Sequence, residues 1–156
     1  MSRWKQGEAA IQQMLDAGEL DQVPADADTV GLLFKAAEQH IASATLLRES
    51  DLDAAYSLAY DAGRKGATAL LAHQGLRPTT KGGHLAVVRA MREQFPGVPG
   101  LSSLDMLRRR RNQSEYPDPA GSDPLTLEEV QEAIDTVSVL LASAGRLLEQ
   151  PQVGVF

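Results

Sequence analysis

From Thr126 to Leu148 apolar residues recur at alternating steps of three and four: Leu127, Val130, Ile134, Val137, Leu141, Ala144 and Leu148. That interval keeps one side of an α-helix apolar from end to end. Thr126–Glu129 (TLEE) opens the run as a capping box, in which the threonine hydroxyl and the glutamate carboxylate satisfy each other's backbone N–H groups. A helix this long, apolar on one side only, must bury that side against other elements. The rest of the chain offers helices for the purpose and no convincing strand.

Asp28 or Thr29 is placed to cap a second long helix, with Val30, Leu33, Ala37, Ile41 and Ala44 as its inner stripe, Phe34 and Leu47 widening it, and an end near Ser50. Asp51 caps a third, running to about Gln74. Its apolar residues, among them Ala55, Tyr56, Ala59, Tyr60, Gly63, Gly66, Ala67 and Leu70, cover most of the circumference. A helix apolar on most sides is central, and its alanines and glycines let neighbours approach closely. Gly75 then serves as its C′ residue. Thr79–Gly83 (TTKGG) reads as a flexible connection, with Thr80 capping a helix over about Gly82–Gln94 that turns Leu85, Val88, Met91 and Phe95 inward. Phe95–Gly100 (FPGVPG) breaks the chain. Ser102 or Ser103 starts a further helix that stops before Pro117.

The expected fold is all-α: an antiparallel, up-and-down bundle of four to five helices. Residues 1–28 form a loosely packed N-terminal arm, with Ile11, Met14 and Leu15 inward on a short helix ended by Gly18. Residues 29–150 form the bundle and 151–156 a tail.

Composition narrows the chemistry. The 156 residues contain no cysteine, which removes disulfides and thiolate zinc sites and suits a cytoplasmic protein. No apolar run reaches the ~18 residues of a membrane span. Phosphate-binding GxxxxGK[ST] loops, dinucleotide-binding glycine motifs, HExxH and nucleophile elbows are all absent from the sequence. His40, His73 and His84 are too far apart to form a ligand pair, so neither a metal site nor a cofactor is expected. The net charge of −6 hides an asymmetry: Asp61–Tyr116 holds ten basic and four acidic residues, whereas the remainder holds five basic and seventeen acidic. A basic middle of this kind presents a local polyanion site, or is neutralised by its own acidic ends or by a second copy.

Leu104–Pro117 (LDMLRRRRNQSEYP) concentrates that charge. On a helix, Leu101, Leu104 and Leu107 begin an apolar stripe that Arg108, Arg111, Asn112 and Glu115 continue, while Arg109 and Arg110 point towards solvent. Arginines that prolong a core stripe need anionic partners, because an unpaired buried charge is costly. The plainer alternative is a helix C-terminus, where cations suit the dipole and Arg111–Glu115 is an ordinary i,i+4 pair. Arginine forks onto phosphate; Asn112 can orient it; Glu115 and Tyr116 are the neighbouring proton handlers, although an ion pair weakens the first and a pKa near 10 the second. Lys81–His84 (KGGH) suggests either a phosphate nest at a helix start or a simple hinge. His84 near that positive helix end is expected to be neutral.

Tyr60–Pro78 (YDAGRKGATALLAHQGLRP), Lys81–His84 and Arg108–Pro117 together resemble the HEPN superfamily over about Thr29–Leu148. The resemblance implies a helical bundle that usually forms a homodimer. Active members bring two Arg-x4–6-His motifs into one cleft. Many are metal-independent endoribonucleases that act as toxins or in phage defence, often neutralised by a nucleotidyltransferase-type antitoxin. The family's arginine carries over to Arg111 and its asparagine to Asn112, while the position of its histidine falls on Tyr116.

Three readings follow. The first is an RNA-directed nuclease with Arg111, Asn112, Glu115 and Tyr116 at its centre and Arg64, Lys65, Lys81, His84 and Arg108 as phosphate contacts. The second is a catalytically silent module that binds a nucleotide, RNA or a protein partner. The third is a helical adaptor whose acidic ends meet a basic partner.

Overall fold

The computed structural model describes residues 4–121 and 123–156. The chain runs α1 (Glu8–Asp16), β1 (Leu20–Gln22), α2 (Ala27–Leu47), α3 (Leu52–His73), β2 (Leu76–Pro78), α4 (Gly83–Gln94), a 3-10 turn (Leu101–Ser103), α5 (Leu104–Glu115) and α6 (Leu127–Leu148). Among the described residues it is an all-α helical bundle with one small two-stranded sheet.

Helix α3 is the axis and packs against α2, α4, α5 and α6. Tyr56, Ala59, Tyr60, Ala62, Ala67, Leu70 and Leu71 are all buried on it. Close approach is built in: a Cβ on Gly66 would stand 2.5 Å from Leu141 Cδ2. The caps follow local rules. Asp51 accepts from Ala54 N at 3.0 Å, and Gly75 takes φ +75° after the helix end. In α6 the capping box is complete, Glu129 N to Thr126 Oγ1 at 3.1 Å and Thr126 N to Glu129 Oε2 at 2.9 Å. Leu125 and Val130, either side of that cap, are both buried, as in a hydrophobic staple.

Several expectations are corrected. Helix α2 is capped by Asp26, not by Asp28 or Thr29: its carboxylate accepts from Asp28 N at 3.0 Å and from the Thr29 hydroxyl at 2.5 Å. Those bonds hold the Asp26 carboxyl below its usual range. Leu85 is 57% exposed, because α4 buries Ala86, Val87, Ala90, Met91 and Gln94 instead. Leu127 is half exposed, since Leu125 before the cap takes the inner place.

The arm is not loose. Ile11 and Met14 are fully buried, and Trp4 lies 5.3 Å from the Phe95 ring with its indole N–H donating to Gln94 O at 3.1 Å. β1 pairs antiparallel with β2, Leu20 opposite Pro78 and Gln22 opposite Leu76, and Thr79 N donates to Glu19 O at 3.1 Å. Residues after α6 also pack back, with Val153 fully buried and Phe156 N donating to Gln74 O at 2.8 Å.

At that end Gln74 and Gln94 join α3 to α4. Each amide donates to the other's carbonyl oxygen, at 2.7 and 2.9 Å, and neither side chain is appreciably exposed. Buried amides are tolerated when paired in this way.

Candidate functional site

Three elements bring polar side chains to one place. Tyr60, Asp61 and Arg64 lie within one turn of α3; Arg108, Arg111 and Glu115 lie on successive turns of α5; His84 stands in the first turn of α4. Tyr60 is fully buried, and its hydroxyl lies 3.1 Å from His84 Nδ1. The Arg111 guanidinium carbon stands 5.7 Å from the Tyr60 ring centre, and the His84 ring centre is also 5.7 Å from it. One phenol ring therefore holds both a guanidinium and an imidazole, through cation–π attraction and a hydrogen bond respectively.

The arginines are half-buried, with side-chain exposures of 25% for Arg64, 17% for Arg108 and 20% for Arg111. Each has a carboxylate on its own helix. Arg64 meets Asp61 at 3.6 Å, Arg108 meets Asp105 at 3.0 Å and Arg111 meets Glu115 at 3.0 Å. A guanidinium has five N–H donors, and one carboxylate engages only some of them. Nε of Arg64 and Nε of Arg111 are both buried with no hydrogen-bond partner among the described residues. Asn112 is the immediate neighbour of Arg111, Oδ1 to Nη1 at 3.4 Å, too long for a strong bond.

The electrostatics follow from this crowding. Burial, then the guanidinium groups of Arg64, Arg111 and Arg108, hold the His84 imidazole below its ordinary value, with Asp61 opposing. Burial pushes the Tyr60 hydroxyl up to about 12, so it stays protonated. The site thus offers a neutral imidazole among fixed positive charges.

Other residues singled out in the sequence lie elsewhere. Lys65 Nζ points to His40 Nε2 on α2, and burial together with Lys65 lowers the pKa of His40. Lys81 donates to Ala17 O at 2.7 Å and lines a cleft between α4 and α5 that contains Arg89, Arg92, Arg108 and Arg109. The glycine amides beside it are already used: Gly82 N donates to Thr79 Oγ1 at 3.0 Å and Gly83 N to Thr79 O at 2.8 Å. TTKGG is therefore a closed turn rather than a free anion nest. Tyr116 is 76% exposed at the end of α5.

Arg110 corrects its expected place in solvent. Its side chain is only 17% exposed and forks onto Glu129 of α6 at 2.9 and 3.2 Å, with a further bond to Asp123 O at 3.0 Å. That pairing lowers the Glu129 pKa and raises that of Arg110. Arg109, 71% exposed and held by Asp105 at 2.9 Å, is the arginine of the run that faces solvent. The sequence makes Tyr60 a core aromatic, and its four-residue step to Arg64 on one face of α3 is the signal there for a second role.

Among the described residues, no group of three or more His, Asp or Glu side chains is arranged to hold a metal ion, and no helix is long and apolar enough to cross a membrane.

Fold and site together define a helical bundle that displays half-buried arginines from two helices around one histidine. The chain belongs to the HEPN domain family: the family model described as HEPN domain matches residues 30–147, which takes in α3, α4, α5 and nearly all of α2 and α6. Membership makes it an RNA-related module of the nuclease-like or binding kind. No curated protein and no solved structure matches the chain.

Proposed function

We propose that this HEPN domain engages RNA at the Arg111 face and cleaves it without a metal ion, acting as a homodimer whose two copies place their Arg111 faces along one cleft. The observation that carries the reading is the gathering of Arg64, Arg108 and Arg111 about the Tyr60–His84 pair, with two buried Nε atoms that find no partner among the described residues. Buried guanidinium donors in a partly dry site bind a phosphodiester more strongly than the same donors in water, and more strongly still as charge develops on its oxygens. Arg111 and Arg64 bind the phosphate, Asn112 stands beside Arg111 to engage it or the RNA, and Arg108 extends the cationic surface towards the α4–α5 cleft where Lys81 lies. A nucleotidyltransferase-type antitoxin is the protein partner that fits a toxin or defence role for such a domain.

A second reading has its own support. The motif position carries the exposed Tyr116, and Glu115 is neutralised by Arg111. A catalytically silent module that only binds RNA, a nucleotide or a protein accommodates both facts.

Labelled single-stranded RNA incubated with the protein, with and without chelator, separates the two. Chelator-resistant cleavage that falls by about 10²–10³-fold in Arg111→Ala, with an unchanged melting curve, supports the nuclease. Cleavage by Arg111→Ala at the wild-type rate refutes the assignment of Arg111. RNA binding with no cleavage leaves the silent module.

A further inference from the structure

We propose that the proton acceptor in RNA cleavage is His84, brought in from the first turn of α4 and positioned by Tyr60, so that the work given elsewhere in the family to a motif histidine is done here from another helix. This rests on the nuclease reading above.

The nearer candidates on α5 are poorly suited. Glu115 is ion-paired to Arg111 at 3.0 Å, which favours its charged form and weakens it as a base. Tyr116, 76% exposed, caps the end of α5, and a phenol is a weak base near neutral pH. His84, by contrast, shares the Tyr60 ring with Arg111 at matching 5.7 Å separations. The groups that face it are Tyr60, Asp61 and Arg64 from α3 and Arg108 and Arg111 from α5. Burial, helped by the guanidinium groups of Arg64, Arg111 and Arg108 and opposed by Asp61, favours the neutral imidazole that a base must be. Tyr60 stays a neutral phenol, so it takes no proton itself. Its hydroxyl and Nδ1 share a hydrogen bond whose direction follows the tautomer; the proposed step uses the Nδ1–H tautomer, in which the Tyr60 oxygen accepts and the lone pair lies on Nε2.

The step balances without a co-reactant. The ribose 2′-hydroxyl gives its proton to His84 Nε2 as O2′ forms a bond to phosphorus. The P–O5′ bond breaks with its electron pair on O5′, which takes a proton from water, and the imidazolium returns its proton to solvent. The products are a 2′,3′-cyclic phosphate and a 5′-hydroxyl. Arg111 and Arg64 stabilise the charge on the phosphoryl oxygens.

The test uses the full chain and a labelled DNA oligonucleotide with a single ribose, together with its 2′-O-methyl counterpart as an uncleavable ligand. His84→Ala is expected to lose about 10²–10⁴-fold in cleavage rate and to bind the 2′-O-methyl oligonucleotide with Kd unchanged. Added imidazole should restore part of the rate. The wild-type rate should rise with pH through an apparent pKa below 6.5, and that acidic limb should be missing in His84→Ala. Tyr60→Phe should shift the limb as well as slow the reaction, which loss of packing alone would not do. If His84→Ala cleaves within about threefold of wild type while Arg111→Ala is inactive, the His84 assignment falls and the nuclease reading stands. Loss of the limb in Glu115→Gln but not in His84→Ala would transfer the role to Glu115. A wild type that binds but cleaves at no pH overturns both readings.

Discussion

Gly100 offers a measurable check on how the arginine helix is held. It begins the 3-10 turn that leads into α5, with φ +87° and ψ −33°, and a Cβ there would stand 2.6 Å from Leu140 N and 2.7 Å from Leu140 Cα. Leu140 is fully buried mid-helix in α6, so neither backbone atom can move aside cheaply. Gly100→Ala therefore carries two costs: about 1–2 kcal/mol for a side chain at positive φ and about 1–3 kcal/mol for overlap against an unyielding wall. Gly97 is the natural control, with φ +80° and open space where its Cβ would go. Gly97→Ala should incur only the first cost. At about 2–4 °C per kcal/mol for a chain of this size, Gly100→Ala should melt about 4–20 °C below wild type and Gly97→Ala about 2–8 °C below. Circular-dichroism melts of the three proteins at one concentration measure the difference. Equal shifts would refute the close approach of this turn to α6, and with it the account of how α5 is docked.

Three further outcomes follow from other contacts. Gln94→Leu leaves the buried Gln74 amide unsatisfied and should cost about 1–3 kcal/mol in urea unfolding, whereas the Gln74→Leu/Gln94→Leu double variant should lose less than the single; a double variant that loses the sum of both would refute the pairing. Arg110→Ala breaks the fork to Glu129, but Glu129 is 38% exposed, so solvent screening limits the loss to about 1 kcal/mol; Arg109→Ala, on the exposed side, should change the urea midpoint by less than about 0.5 kcal/mol. Both His40 and His84 titrate below their ordinary 6.5 in the folded chain. Above that pH neither binds a proton in either state. As pH falls through about 6.5 the unfolded chain takes up protons that the native sites refuse, so stability should drop until the folded values are passed. Urea midpoints measured from about pH 8 down to about pH 5.5 test this, and a flat profile would refute it.

Much of the molecule is legible along the chain because helices announce themselves locally. The three-and-four spacing of Val130, Ile134, Val137, Leu141 and Ala144, the caps at Asp51 and Thr126, and Gly75 after α3 each depend on residues within a few positions, and each appears where expected. Leu85 and Leu127 show the limit. Periodicity allows more than one inward face near a helix start, and packing against α1 and α3 chose the alanine side of α4. The strand pair β1–β2 carries no local signal, since three residues a side are too few to show alternation.

At the site the division is sharper. An arginine run prolonging a leucine stripe, next to Asn112 and Glu115, is visible in the sequence, as is the HEPN pattern that the family match bears out over residues 30–147. Which arginine turns where is not. Arg110 faces α6 because Glu129 and Asp123 O stand there to receive it, while Arg111 faces Tyr60. His84 joins Tyr60 across 24 residues of chain because α4 folds back beside α3. Helix formation, caps and the amphipathic order are determined by the sequence through short-range sterics and hydrogen bonds. The meeting of Tyr60, His84 and Arg111 is decided only by the packing of α4 and α5 on α3, which no local repeat encodes.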